Sequence, residues 1–294
     1  LKATLDCLDC IVRQAVKVAR IATDDPEVQR RIVNETTRRI PDMNLSESPA
    51  ALSKCAYQIT SDITGNVDPY RELKREQNIM ALALLPELRE MVRTASDPLS
   101  AALHLAAAGN VIDLGTMQLH EVDDAAVRST ITQVMNERFA MDHSDVFRAS
   151  LARCNDLLYL LDNAGEIVFD MVLIEELLKH TPVTAVVKGA AILNDVLLED
   201  AEMVGLTDIC PVIDNGGAFI GSPLDQVPET FLRRMHQADI IIGKGQGNFE
   251  TIDEFPGDVF LILRAKCEVV AEVMGVQYGQ VGLISTIERR RNMA

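Results

Sequence analysis

The sequence predicts an α/β protein: an open parallel sheet flanked by helices, with an N-terminal all-helical subdomain. Three observations carry that class. Over residues 1–108 apolar residues recur at three- and four-residue spacing, the period of an amphipathic helix. Beyond residue 155 short β-branched runs alternate with amphipathic stretches, the pattern of strand–helix–strand units in a parallel sheet covered on both faces. The length of 294 residues at 48% hydrophobic content supplies core for one large domain or two modest ones. The division falls into a helical part, 1–108, and an α/β part, 109–294.

In chain order, Ile11, Ala15, Val18 and Ala22 mark one face of a first helix. Asp24-Asp25-Pro26 opens a second, with proline in its first turn. Ser46-Glu47-Ser48-Pro49 begins a third, running through Ala56 and Ile59. Asp68-Pro69-Tyr70 begins a fourth, and Pro86 is expected to interrupt or kink the helical material that follows. A short run at 111–113 is a strand candidate between the halves. The main strands are expected at 157–161, 183–187, 209–213, 240–242 and 259–263, with helices near 166–178, 195–204, 224–236 and 268–274.

Composition narrows the function. Forty-four acids against 28 bases leave a net charge of −16, which argues against non-specific nucleic-acid binding because phosphate contacts need clustered Lys and Arg. The longest uncharged stretch, 98–112, contains Ser100, His104 and Asn110. It is too short and too polar for a bilayer, which needs ~20 mostly apolar residues. Neither nucleic acid nor membrane is an expected partner, and the sequence leaves the oligomeric state open. Lys2, Asp6, Asp9 and Arg13 break up any apolar leader, and six cysteines make no disulfide scaffold in a chain this long. A cytoplasmic setting is expected.

In an open α/β sheet ligands bind outside the carboxyl ends of the strands, so the residues after each apolar run are the candidates. They are Asp162-Asn163-Ala164-Gly165-Glu166, then Lys188-Gly189 with Asn194-Asp195, then Asp214-Asn215-Gly216-Gly217. The fourth run leads into Gly243-Lys244-Gly245-Gln246-Gly247-Asn248 and the fifth into Arg264-Ala265-Lys266. Asp162, Asn163 and Asp195 offer only oxygen, which suits Mg²⁺ or Mn²⁺. Each is equally a good helix N-cap, and Asp214-Asn215 nearly copies Asp162-Asn163, so spacing alone leaves the choice of pair open. Lys188, Lys244 and Lys266 follow directly from strands, and ammoniums beside glycine turns suit phosphate. The Gly243–Gly247 turn matches neither the P-loop nor the dinucleotide fingerprint. Oxygen-ligated metal with local positive charge points to phosphoryl chemistry.

Cys7-x-x-Cys10 places two thiols on one helix face. It suits half a zinc site, but no second pair completes one. Buried structural cysteines and an auxiliary metal or redox role both fit. The five histidines show no ligand spacing.

Taken in order, these motifs resemble the DUF89 family of damage-control phosphatases. The resemblance rests on Cys7-x-x-Cys10 with Gln14-Ala15, Asp68-Pro69-Tyr70 with Lys74, and Gly109-Asn110-x-x-Asp113. Asp162-Asn163-Ala164-Gly165-Glu166, the 244–250 turn and Lys266-Cys267 complete it. It spans essentially the whole chain, and the CxxC is similar to the prokaryotic branch. The resemblance implies a helical region on a Rossmann-like α/β domain and a metal-dependent phosphatase of small phosphorylated metabolites, sugar phosphates among them. It implies Mn²⁺, Co²⁺ or Ni²⁺ as cofactor, with Mg²⁺ an option from the oxygen ligands. By motif, Asp162, Asn163 and Asp195 become the metal ligands and catalytic centre. Substrate contacts fall on Lys244, Gly245, Gly247, Asn248 and Lys266, with Asn110 and Glu166 beside them. Arg264-Ala265-Lys266 departs from the Arg-Thr-x-Lys motif of eukaryotic members, being one residue shorter and lacking the threonine.

Two other readings compete. The glycine turn after a strand fits a nucleotide- or S-adenosylmethionine-dependent transferase, although it comes late in the chain. A non-catalytic phosphometabolite-binding protein would carry the same ligands. On the phosphatase reading the acidic surface requires attraction to be concentrated locally, in one metal and a few strand-end lysines.

Overall fold

A computed structural model describes residues 1–111 and 124–293. Helix α1 (Leu5–Ala22) buries Cys7, Ile11, Ala15, Val18 and Ala19 along one stripe. The Asp25 side chain caps α2 (Pro26–Arg39) by accepting from the Glu27 and Val28 N–H groups, with Pro26 in the first turn. Ser48 caps α3 (Pro49–Thr64) in the same way, and Gly65 ends it at φ +70°. These three helices pack on one another.

Helices α4 (Arg71–Thr94) and α5 (Pro98–Val111) follow. Pro86 does not break α4, which runs unbroken from Arg71 to Thr94. The proline lies on the exposed face, so its ring displaces no core side chain and the cost is one lost helical hydrogen bond. Residue 111 closes α5, so the expected strand does not begin there, and 112–113 lie outside the described residues.

Among the described residues the sheet has seven strands: β1 (Met141–Asp142), β2 (Leu157–Leu160), β3 (Val183–Val187), β4 (Val212–Asp214), β5 (Ile240–Lys244), β6 (Val259–Arg264) and β7 (Val281–Ser285). Their order is β1-β7-β6-β5-β2-β3-β4, with every pairing parallel except β6 with β7. The helices of this part are α6 (Asp124–Asn136), α7 (Ser144–Leu151), α8 (Glu166–Leu177), α9 (Leu198–Val204), α10 (Glu229–Gln237), α11 (Gly245–Ile252), α12 (Glu268–Met274) and α13 (Thr286–Met293). This is the expected class, an open, mostly parallel sheet flanked by helices.

Several boundaries differ from expectation for physical reasons. The 209–213 run forms a strand only from Val212, because Leu206–Asp208 first makes a 3-10 turn. Helix α9 starts at Leu198 instead of 195, and Asp200 accepts from the Leu197 N–H at 3.0 Å as its capping group. Asp195 is therefore not a helix cap. Strand β5 runs two residues beyond the apolar run, so Gly243 and Lys244 belong to the strand and α11 begins at Gly245.

Strand parity sorts the core into two layers. Leu157, Tyr159, Ala185, Ile240, Ile242 and Ile262 pack with α4, α5 and α8. Leu158, Leu160, Val186, Ile241 and Leu261 pack on the other face with Phe231, Phe249 and Phe255. Strand β2 sits between β5 and β3, so the chain departs in opposite directions from this pair, one toward β4 and one toward β6. A crevice opens at the carboxyl ends of strands where the order reverses in this way.

Candidate functional site

The β2/β5 switch point carries a cavity of about 840 Å³. Its floor is made by strand-end residues Asp162, Asn163, Asn194, Asp195, Gln246, Gly247 and Lys266. Its roof comes from the helical part: Cys7, Cys10, Arg13 and Gln14 on α1, with Ser53 and Tyr57 on α3, and Tyr70 before α4.

Two loops meet on the floor. Asn163 and Asp195 form an isolated antiparallel bridge. The Ala164 N–H donates to the Asn194 carbonyl and the Val196 N–H to the Asp162 carbonyl, both at 2.9 Å. Asp162, Asn163 and Asp195 are thereby held together by backbone. The Asn163 amide nitrogen donates to Asp162 Oδ2 at 2.7 Å and Glu166 Oε2 at 3.1 Å, which leaves its amide oxygen as the donor atom for a cation. Burial pushes the Asp162 carboxyl well above the usual range, and the nearby Asp195 and Glu166 charges push it further. Burial also raises Asp195, to about 6, against the pull of Lys188.

Glycine is required beside this carboxylate. A Cβ on Gly245 would stand 1.8 Å from Asp162 Oδ2, and the residue's φ is +76°. Gly245 thus lets the start of α11 close onto Asp162. Gly247 lines the cavity directly. Asn248 is buried and spends its amide nitrogen on the Lys244 and Leu161 carbonyls. It holds the turn and does not line the cavity.

Of the three strand-end lysines, Lys266 lines the cavity. Lys188 is buried, donates to the Gly221 carbonyl at 2.9 Å, and lies 3.4 Å from Asp195 Oδ2. Lys244 departs furthest from the expected phosphate contact. Its ammonium is wholly buried and donates to the Ala106 carbonyl (2.9 Å), Glu166 (2.8 Å) and Asp170 (2.5 Å). Parity explains this: as the last residue of β5, Lys244 shares the side of Ile240 and Ile242 and points into the α5/α8 layer. Glu166 in turn accepts from the Asn110 amide at 3.1 Å. Burial opposes its charge, but Lys244 overcomes that and holds its carboxyl below the usual range. Asn110 and Glu166 stand behind Asn163 and do not line the cavity.

The second Asp-Asn pair behaves differently. Asp214 accepts from the Gly216 N–H at 2.8 Å, and Asn215 is buried between the Gly189 N–H and the Gly221 carbonyl. Both build the turn after β4, and neither lines the cavity.

Other residues of the site left no trace in the periodicity. Gln14 bridges Cys10, Ser53 and Tyr57 across α1 and α3, and only the fold brings those helices over the sheet. Asp170 had a findable signal, one helical turn after Glu166. Glu250 faces the cavity, and burial raises its carboxyl to about 7. All six cysteines are free thiols, and Cys7, Cys10 and Cys267 line the cavity.

The lining includes six acids (Asp6, Asp9, Asp162, Asp195, Glu250 and Glu268) and three bases (Arg13, Lys17 and Lys266). Asp195 Oδ2 is buried, with the Lys188 ammonium 3.4 Å away as its ion-pair partner. Among the described residues no three His, Cys, Asp or Glu side chains form a ready metal cage. The donors on offer are two carboxylates and one amide oxygen, a hard set that fits a divalent cation completing its shell with water or substrate oxygen. A cavity lined by six carboxyl groups and three bases is chemically short of such a cation.

Comparison with known proteins gives an independent line. A family model described as the damage-control phosphatase ARMT1-like domain matches residues 3–281. An uncharacterized protein of Methanocaldococcus jannaschii is 37% identical over 93% of this chain and 92% of its own length. A damage-control phosphatase of Archaeoglobus fulgidus is 31% identical over 94% and 96%. The crystal structure of a DUF89 family protein from Pyrococcus horikoshii superposes with a TM-score of 0.89 at 29% identity, covering 97% of this chain and 99% of that one.

Proposed function

The chain belongs to the damage-control phosphatase ARMT1-like domain family, and from that membership we propose that it is a metal-dependent phosphatase of small phosphorylated metabolites such as sugar phosphates. The observation that carries the reading is the meeting of Asp162, Asn163, Asp195 and Lys266 in one cavity at the sheet's switch point. Two buried carboxylates with one lysine are a poor receptor for a phosphate dianion unless a cation joins them.

The ion-holding residues are Asp162, Asn163 and Asp195, and the ion is Mn²⁺, Co²⁺, Ni²⁺ or Mg²⁺. A bound divalent ion supplies charge neutralisation and polarises the phosphorus–oxygen bond. The chain's own residues do the rest. Lys266 offers positive charge to the phosphate oxygens. Gly247 presents backbone at the start of α11, where N–H groups and the helix dipole favour an anion. Lys244 and Asn110 fix Glu166, and Glu166 fixes the Asn163 amide with its oxygen free for the ion. The roof of α1 and α3 restricts water access to the reacting centre. Family membership places this reading ahead of the transferase.

The test is phosphatase turnover against a panel of sugar and cofactor phosphates with Mn²⁺, Mg²⁺, Co²⁺ and Ni²⁺. Asp162→Ala should abolish both metal binding by calorimetry and turnover while the circular dichroism spectrum stays native. Lys266→Ala should raise KM for phosphorylated substrates roughly 10-fold or more, the loss of one charge-assisted contact. Full turnover in Asp162→Ala would remove the metal assignment, and an unchanged KM would remove Lys266 from phosphate binding.

A further inference from the structure

Helix α4 lines neither the metal-binding loops nor, in its own span, the cavity, yet it holds both loops from behind. Asn78, with no exposed surface, accepts from the Gly165 N–H through Oδ1 at 2.7 Å and donates through Nδ2 to Asp200 Oδ1 at 3.0 Å. Gly165 closes the turn that begins with Asp162 and Asn163, at φ +75°. Asp200 controls the other loop: its Oδ2 accepts from the Leu197 N–H at 3.0 Å, two residues beyond Asp195. One turn before Asn78, Lys74 is equally buried and reaches Asp200 Oδ2 at 3.2 Å and Asp68 Oδ2 at 3.1 Å. A single amide thus spans the two loops whose bridge unites Asn163 and Asp195.

We propose that Asn78 is a positioning residue that sets the separation of Asp162 and Asn163 from Asp195, and through it the affinity of the divalent-metal site. The proposal rests on the metal-site reading above. Its physical basis is that the Asn78 hydrogen bonds are buried, so no water replaces them on deletion, and both loops lose a common anchor. Residues that orient metal ligands from behind cost 10–100-fold in affinity when removed. Asn78 touches no cavity surface, so substrate recognition should be spared.

Calorimetric titration of the purified full chain with Mn²⁺ tests this, alongside kcat and KM on a phosphate monoester. Asn78→Ala and the isosteric Asn78→Asp should each weaken Mn²⁺ binding roughly 10–100-fold, and lower kcat at fixed metal with KM within about twofold. The double variant Asn78→Asp/Asp200→Asn reverses the polarity of the bridge at constant net charge. It should restore Mn²⁺ affinity to within a few-fold of wild type. Wild-type Mn²⁺ affinity in a folded Asn78→Ala or Asn78→Asp protein would overturn the proposal, as would a double variant that folds but binds no better than Asn78→Asp. If the unmodified protein takes up no divalent ion at all, the metal-site reading itself fails, which is a distinguishable result.

Discussion

Lys244 and Lys266 are both strand-end lysines, but Lys244 is the last residue of β5 whereas Lys266 lies two residues beyond the end of β6 and lines the cavity. Lys244 falls on the parity of Ile240 and Ile242 and is drawn into the layer under α5, where an ammonium survives only beside carboxylates. Glu166 and Asp170 provide them at 2.8 and 2.5 Å, and Tyr159 donates to the same Asp170 oxygen at 2.8 Å. Lys244→Met keeps the volume and removes the charge, leaving two buried carboxyls without their cation. The expected cost is ~3–5 kcal/mol, read as a lowered urea midpoint, together with weakened metal binding as Glu166 releases Asn163. A midpoint within experimental error of wild type would show that the Lys244 cluster carries no stability.

At the scale of elements, α4 shows how tertiary packing overrides local propensity. A mid-helix proline forfeits one backbone bond and crowds the preceding turn, yet Leu85, Leu88 and Val92 bury the helix on both sides of Pro86 and keep it continuous. Pro86→Ala should therefore stabilise the protein by roughly 1–3 kcal/mol, the propensity gain less the entropy restored to the unfolded chain. A higher melting temperature at unchanged kcat is the expected result, and a lower one would show that the proline shapes the packing of α4. Helices α1 and α3 have a different task. Their Gln14, Ser53 and Tyr57 network closes the cavity opposite the strand ends, so the helical part serves as the roof of the site.

Across the whole molecule, the charge of −16 reaches into the cavity instead of stopping at its mouth. Burial raises Asp162 well above the usual range, Asp195 to about 6, and Asp170 and Glu250 to about 7. A carboxyl whose folded pKa exceeds its unfolded value contributes stability below the unfolded pKa and loses it as pH rises through the folded one. In chelator the melting temperature should fall between about pH 4 and pH 7, through these groups. A bound divalent ion favours the ionised carboxylates, so the stabilisation by added Mn²⁺ should grow over the same window. Thermal scans from about pH 4 to pH 8 with and without Mn²⁺ check both slopes. Equal Mn²⁺ stabilisation at every pH would show that Asp162 and Asp195 do not hold the ion. None of the described helices is long and apolar enough to cross a membrane.

The sequence by itself determined the class and most of the strand ends, because hydrophobic period is local and survives without neighbours. It placed β2, β3 and β6 nearly to the residue and put Asp162, Asn163 and Lys266 at strand ends, but it set Asp195 at the start of a helix that begins only at Leu198. It missed β7, where Gly282 interrupts the apolar run, and β1, which at two residues is too short to show a period. The tertiary structure alone decided which strand-end groups share a cavity. Strand order made β2 and β5 neighbours across 80 residues of chain and thereby set Gly245 against Asp162. Parity turned Lys244 inward, and the packing of α4 joined Asn78 to two loops at once. Those outcomes depend on contacts between distant segments, and distant contacts leave no mark on a local pattern.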